Sequence, residues 1–101
     1  MTFNAGEILK QLGGNKFIAM TGAKNFVKDD KKKNIAFKIG RNSKSINYIK
    51  IKLNSMDTYD ISFLRLRKFK LTPVNKVSGV YNDQLQSVFT RNTGMETSLG
   101  W

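Results

Sequence analysis

Residues 46–54, INYIKIKLN, alternate apolar and polar side chains without a slip from Tyr48 to Leu53. In extended backbone, neighbouring side chains point to opposite sides, so Ile49, Ile51 and Leu53 line one face and Tyr48, Lys50 and Lys52 the other. A one-residue change of register would turn every lysine inward, which fixes the face that must meet a core. The opposite face is left for water or for an anion.

The rest of the chain supplies partners for this strand. Asn4 caps a helix over about residues 5–12, with Glu7 in a capping-box-like position and Ile8, Leu9 and Leu12 on one face, before Gly13 and Gly14 stop it. KFIAMTGA, a short apolar run between glycines, reads as a strand. KNFVKDDKKKN reads as a loop or hairpin tip, and IAFKIG as a strand with Ile35, Phe37 and Ile39 alternating against Ala36 and Lys38. In TYDISFLRLRKFKL the apolar parity slips near Leu64, the mark of a β-bulge or of a strand that changes partners. Pro73 confines KLTPVNKVSGV to an edge strand. YNDQLQSVFTRNTG places Tyr81, Leu85, Val88 and Phe89 on a helical stripe that Gly94 ends.

Turns of two to six residues are too short for parallel crossovers. The expected fold is therefore α+β: an antiparallel four- to five-stranded sheet in meander-like order, with a short N-terminal helix and a C-terminal amphipathic helix packed on one face. At 101 residues the chain is expected to be one domain, 1–101, whose tail 95–101 either docks through Leu99 and Trp101 or stays mobile. A free sheet edge would also permit a homodimer with a continuous surface.

The 18 basic residues outnumber the 7 acidic ones, for a net charge of +11. The excess is regional. Residues 24–52 hold Lys24, Lys28, Lys31, Lys32, Lys33, Lys38, Arg41, Lys44, Lys50 and Lys52 against Asp29 and Asp30, whereas residues 71–101 balance Lys76 and Arg91 with Asp83 and Glu96. Such a concentration is the footprint of a polyanion partner, or a means of keeping a small protein soluble.

Three basic clusters follow. On the sheet, Lys38, Lys50 and Lys52 would share a face with Tyr48, Asp60 and Ser62; the lysines can neutralise phosphates, and Tyr48, with Phe26 in the adjoining loop, can stack on unpaired bases. That face is also what any two-layer α+β domain shows to water. In RLRKFK, Arg65, Arg67, Lys68 and Lys70 flank Phe69, and the arginine forks suit phosphate, though the same charges can guard a strand edge. The secondary basic loop comprises Lys24, Lys28, Lys31, Lys32, Lys33, Arg41 and Lys44; its KDDKKK portion reads best as a solvated hairpin tip.

Enzymatic chemistry has little to stand on. The chain has no cysteine and no histidine, which excludes the common zinc sites, cysteine nucleophiles and histidine bases. MTGAKN lacks the glycine spacing and the Ser or Thr of a phosphate loop, and the pairs Asp29 with Asp30 and Asp57 with Asp60 read as turn and surface charge. No catalytic residue, metal or cofactor is expected. Neither the opening MTFNAGEILKQLGG nor any other segment has the long apolar run of a leader or a membrane helix, so a soluble, cytoplasmic protein without a membrane partner is expected.

The segments LGGNKFIAMTGAKNF, FKIGRNSKSINYIKIKLNSMDTYDISF and VYNDQLQSVFTRNTGMETSL together resemble a family of small uncharacterised proteins encoded by bacteriophages and other mobile elements of bacteria. The resemblance spans nearly the whole chain in segment order, and the lysine-rich KDDKKK loop is where it departs. It implies a bacterial host cell and a role in phage DNA metabolism, in regulation or in interference with host defence.

These readings converge on a non-enzymatic nucleic-acid-binding protein that contacts backbone and unpaired bases through the sheet. Single-stranded DNA is favoured, with RNA or duplex left possible; a major-groove recognition helix is disfavoured, because the expected helices are poor in basic residues and no helix-turn-helix is present. The alternative is an inhibitor or adaptor that binds an acidic surface of a host protein through Phe26, Phe69 or Trp101. A virion structural component is a third, weaker reading.

Overall fold

The computed structural model describes residues 4–40, 42 and 44–95. Two short helices, α1 (Ala5–Leu12) and α2 (Asn15–Thr21), precede five strands, β1 (Lys24–Asp29), β2 (Asn34–Lys38), β3 (Tyr48–Leu53), β4 (Tyr59–Arg67) and β5 (Lys70–Val80). A 3₁₀ turn, Asn82–Gln84, leads into α3 (Leu85–Thr93). The strands form one antiparallel meander in the order β1-β2-β3-β4-β5.

The register puts the alternation to use. Ile35, Ile51, Ile61 and Val77 stand in one row and Phe37, Ile49 and Phe63 in the next. All but Val77 are at most 2% exposed, because Ile8, Leu12, Phe17, Leu85 and Phe89 pack on them from the helices. The Phe17 ring meets Phe37 edge-on at 5.7 Å and Phe89 at 5.0 Å, joining α2, β2 and α3 in one aromatic contact. Gln86 donates to the Leu12 carbonyl at 3.0 Å and ties α3 to α1. Nearby, burial pushes the Tyr59 phenol above its usual pKa, and the Glu7 carboxylate acts in the same direction.

Asn4 caps α1 as expected, its Oδ1 accepting from the Glu7 N–H at 3.1 Å. The residues after it correct the sequence reading. Phe17 to Thr21, expected in a strand, belong to α2: Gly13 and Gly14 take positive φ and turn the chain between two helices, and Gly22 in the left-handed region ends the second. Seven residues are too few for periodicity to separate helix from strand, and so short a helix depends on tertiary packing, here of Phe17 and Thr21. KNFVKD, expected in a loop or hairpin tip, forms edge strand β1, and only the four residues after it make the turn. A polar edge strand buries little, so it leaves little apolar pattern to read.

The bulge near Leu64 is real but sits on the neighbouring strand: β4 runs unbroken while β5 inserts a residue between Pro73 and Asn75. Leu64 and Leu66 consequently turn to the side away from the helices. β1 is bulged at Asn25–Phe26 and β5 a second time near Gly79, so both edges are interrupted, and Pro73 removes a donor from one of them. Such edges discourage strand-to-strand association. Tyr81, expected on the stripe of the last helix, is exposed and caps the 3₁₀ turn instead. Of the tail, Met95 is half-buried against the core; Leu99 and Trp101 lie outside the described residues.

Removing the central ring should be costly. Phe17→Ala is expected to lower unfolding free energy by about 3–5 kcal/mol in urea titration, whereas Lys52→Ala, on the exposed side, should stay within about 0.5 kcal/mol of the parent.

Candidate functional site

The three helices of the described residues lie on one side of the sheet, and none of them covers the other side. Its side chains follow from the pairing. Lys24, Lys38, Tyr48 and Leu64 make one row; Val27, Ala36, Lys50, Ser62 and Lys76 make the next; Asn34, Lys52 and Asp60 make a third. Lys38, Tyr48, Lys50 and Lys52 therefore share a face, as the sequence implies, with Asp60 and Ser62 beside them. Across this face runs a shallow trough of about 450 Å³ whose walls include Val27, Ala36, Tyr48, Lys50, Leu64 and Leu71.

Two carboxylates of the described residues, Asp29 and Asp60, stand on this face, and both already have work. Asp29 accepts from the N–H groups of Lys31 and Lys32, both at 3.1 Å, and holds the β1–β2 turn. Asp60 accepts from Asn54 Nδ2 at 3.0 Å and from the Gly79 N–H at 3.4 Å, at the β5 bulge. Lys24, Lys38, Lys50, Lys52 and Lys76 stand around them, with Lys32 at the trough, and the field of the face is positive. Lys76 was not singled out in the sequence because it sits in a charge-balanced region; only the β4–β5 pairing brings it beside Ser62 and Lys50. Leu64 joins the face by the unbroken parity of β4, and Leu71 by the bulge in β5, which the sequence does not place.

The remaining basic residues do not form one surface with these. Arg65 and Arg67 carry the parity of Phe63 and point to the helix side, where they line a separate pocket of about 550 Å³ at the end of the sheet, with Ile39, Gly40, Asn42, Ser45, Ile46 and Asn47. Lys68 occupies the β4–β5 turn and Lys70 opens β5 opposite Arg67. The secondary basic loop is likewise divided. Lys24 and Lys28 are on β1, Lys31, Lys32 and Lys33 are in the turn after it, and Lys44 is exposed in the β2–β3 connection. Lys28 pairs with Asp30 at 3.8 Å in an exposed contact of little energetic weight. Arg41 lies outside the described residues. Phe26 is no stacking group for the open face: its ring lies 5.2 Å from that of Phe37, covering the core at the sheet edge.

Among the described residues no three potential metal ligands come together, and no helix is long and apolar enough to cross a membrane. No family model, no curated protein and no solved structure matches the chain.

One local feature departs from what its residues prefer. Lys68 and Phe69 link β4 to β5 with φ of 48° and 65°, the signs of a type I′ turn, which favours Asn-Gly. Phe69 is fully exposed at this tip. Because left-handed backbone costs an ordinary residue about 1–2 kcal/mol, the double substitution K68N/F69G should raise unfolding free energy by about 1–2 kcal/mol, read from urea midpoints at unchanged slope.

Proposed function

We propose that this chain is a non-enzymatic nucleic-acid-binding protein whose uncovered sheet face takes backbone phosphates on Lys38, Lys50 and Lys52 and an unpaired base on Tyr48. One observation carries the reading: among the described residues, the strand register gathers these side chains, with Lys24 and Lys76, on a face that no helix covers and whose carboxylates are engaged in holding turns. Lysines at alternate positions of β3 stand about 7 Å apart along the strand, and adjacent strands lie about 5 Å apart. Positive charge is therefore spread along two directions of a surface rather than held at a point.

A single strand is favoured over duplex; single-stranded DNA is the polymer proposed first, and RNA is an outcome of the test below. The helices, which a duplex reader would insert into the major groove, are engaged with the sheet through their apolar faces. Tyr48, half-buried beside Leu64, offers a ring that an unpaired base can stack on. The bacterial host cell, its cytoplasm and the phage or mobile-element origin rest on the sequence resemblance alone.

A second reading draws on the same trough. Val27 is 63% exposed and Leu71 46%, and beside Tyr48 and Leu64 they give the face an apolar strip suited to a host protein with an acidic rim. Such an inhibitor or adaptor would use the lysines for steering.

Fluorescence anisotropy with labelled single-stranded DNA, RNA and duplex, at about 50 and 200 mM salt, separates the two readings. The nucleic-acid reading predicts preference for single-stranded DNA that persists at the higher salt, with a log–log slope of about −3 to −4 for four to six neutralised phosphates. Tyr48→Ala should cost about 1–3 kcal/mol of binding, and K50E/K52E should weaken it by at least about tenfold. Weak binding, equal for all three polymers and gone at 200 mM, would remove the reading in favour of a protein partner.

A further inference from the structure

The pocket at the end of the sheet is built differently from the open face. Its floor is the buried pair Ile39 and Ile46, and its rim is a connection fixed by side chains that imitate backbone. Asn42 Oδ1 accepts from the N–H groups of Lys44 and Ile46, both at 3.1 Å, while its Nδ2 donates to the carbonyls of Gly40, at 3.2 Å, and Ile46. Asn47 clasps the Leu66 backbone across the strands, accepting from its N–H at 2.6 Å and donating to its carbonyl at 3.0 Å. These amides hold the pocket's shape.

Two guanidinium groups remain to meet a ligand. Arg65 donates from Nε to the Ser45 carbonyl at 3.2 Å, which orients the fork and leaves its Nη groups for other partners. Arg67 stands two residues further along the same side of β4, exposed at the rim. Among the described residues no carboxylate lines the pocket. Two like charges on one side of a strand repel each other, and an anion between them reverses that cost while accepting paired N–H bonds from the planar forks. With about 550 Å³ of space, the pocket has room for more than a bare ion.

We infer that this pocket binds a phosphoryl group, held between Arg65 and Arg67. The group could be carried by a free nucleotide or by the 5′ end of a nucleic acid, which present the same chemistry. The inference is independent of the open sheet face, because the pocket lies on the other side and uses none of Lys38, Tyr48, Lys50 or Lys52.

The test is an NMR titration of the full chain, following the arginine Nε–Hε signals with inorganic phosphate, AMP, and a short oligonucleotide with and without a 5′-phosphate. Saturable shifts of Arg65 and Arg67 with phosphate and AMP are expected. R67Q should weaken that binding by about tenfold, while K50E/K52E leaves it unchanged. Arg67 is exposed, so its replacement should leave the fold intact, which the amide spectrum verifies directly. R65K, which keeps the charge but loses the fork, should also bind more weakly. Followed in K50E/K52E, shifts of Arg65 and Arg67 that need the 5′-phosphate and saturate at lower oligonucleotide than AMP concentration would assign the site to a chain end, and equal saturation by AMP would assign it to a free nucleotide. The inference is overturned if millimolar phosphate and AMP leave both signals unmoved, if acetate reproduces the shifts, or if R67Q binds as tightly as the parent.

Discussion

The contact of Phe17 with Phe37 and Phe89 decides how the rest of the molecule is arranged. Edge-on aromatic pairs add about 0.5–1.5 kcal/mol to the burial of the rings themselves, and here the shared ring bridges a helix from each end of the chain to the sheet between them. Once α2 and α3 meet over Phe37, α1 is drawn to the same side through Ile8 and Leu12. Among the described residues no helix is then left for the opposite face. That face stays open, and its alternating positions are free to carry lysine and tyrosine without any loss to the core.

The sequence made the central strands legible because both of their faces leave a signal. In β3, Ile49, Ile51 and Leu53 need a core as plainly as Lys50 and Lys52 need solvent, and β4 repeats the pattern from Tyr59 to Phe63; in β2 the alternation of Ile35 and Phe37 with Lys38 is weaker, because Asn34 and Ala36 are buried as well. α2 and β1 left no such record. The first is too short for its period to register, and the second is an edge strand whose residues are almost all exposed. The β5 bulge was felt in the sequence as a slip at Leu64, but an inserted residue on a partner strand cannot be placed from the strand it displaces. This mattered for the candidate site. Lys38, Tyr48, Lys50 and Lys52 were legible as one face from parity alone, whereas the addition of Lys76, and the removal of Arg65 and Arg67 to the other side, follow from register and connection.

The positive charge of the chain thus has two kinds of setting. On the open face it is carried by lysines on flexible stems over a shallow surface, suited to tracking a flexible polyanion with little demand on geometry. At the end of the sheet it is carried by arginines, one of them oriented by a backbone carbonyl, beside a connection fixed by Asn42 and Asn47. Lysine where the surface is broad and arginine where the site is concave is the division that their chemistry favours.

The central claim is that the face left bare by the helices is the working surface. Titrating the ¹⁵N-labelled chain with a short single-stranded oligonucleotide and mapping the backbone amide shifts tests it directly. The account predicts that the shifts concentrate on β2, β3 and β4 around Lys38, Tyr48, Lys50 and Lys52, with the buried residues of α1 and α3 unmoved. Shifts centred on α3, or scattered evenly over lysines on every side, would contradict it.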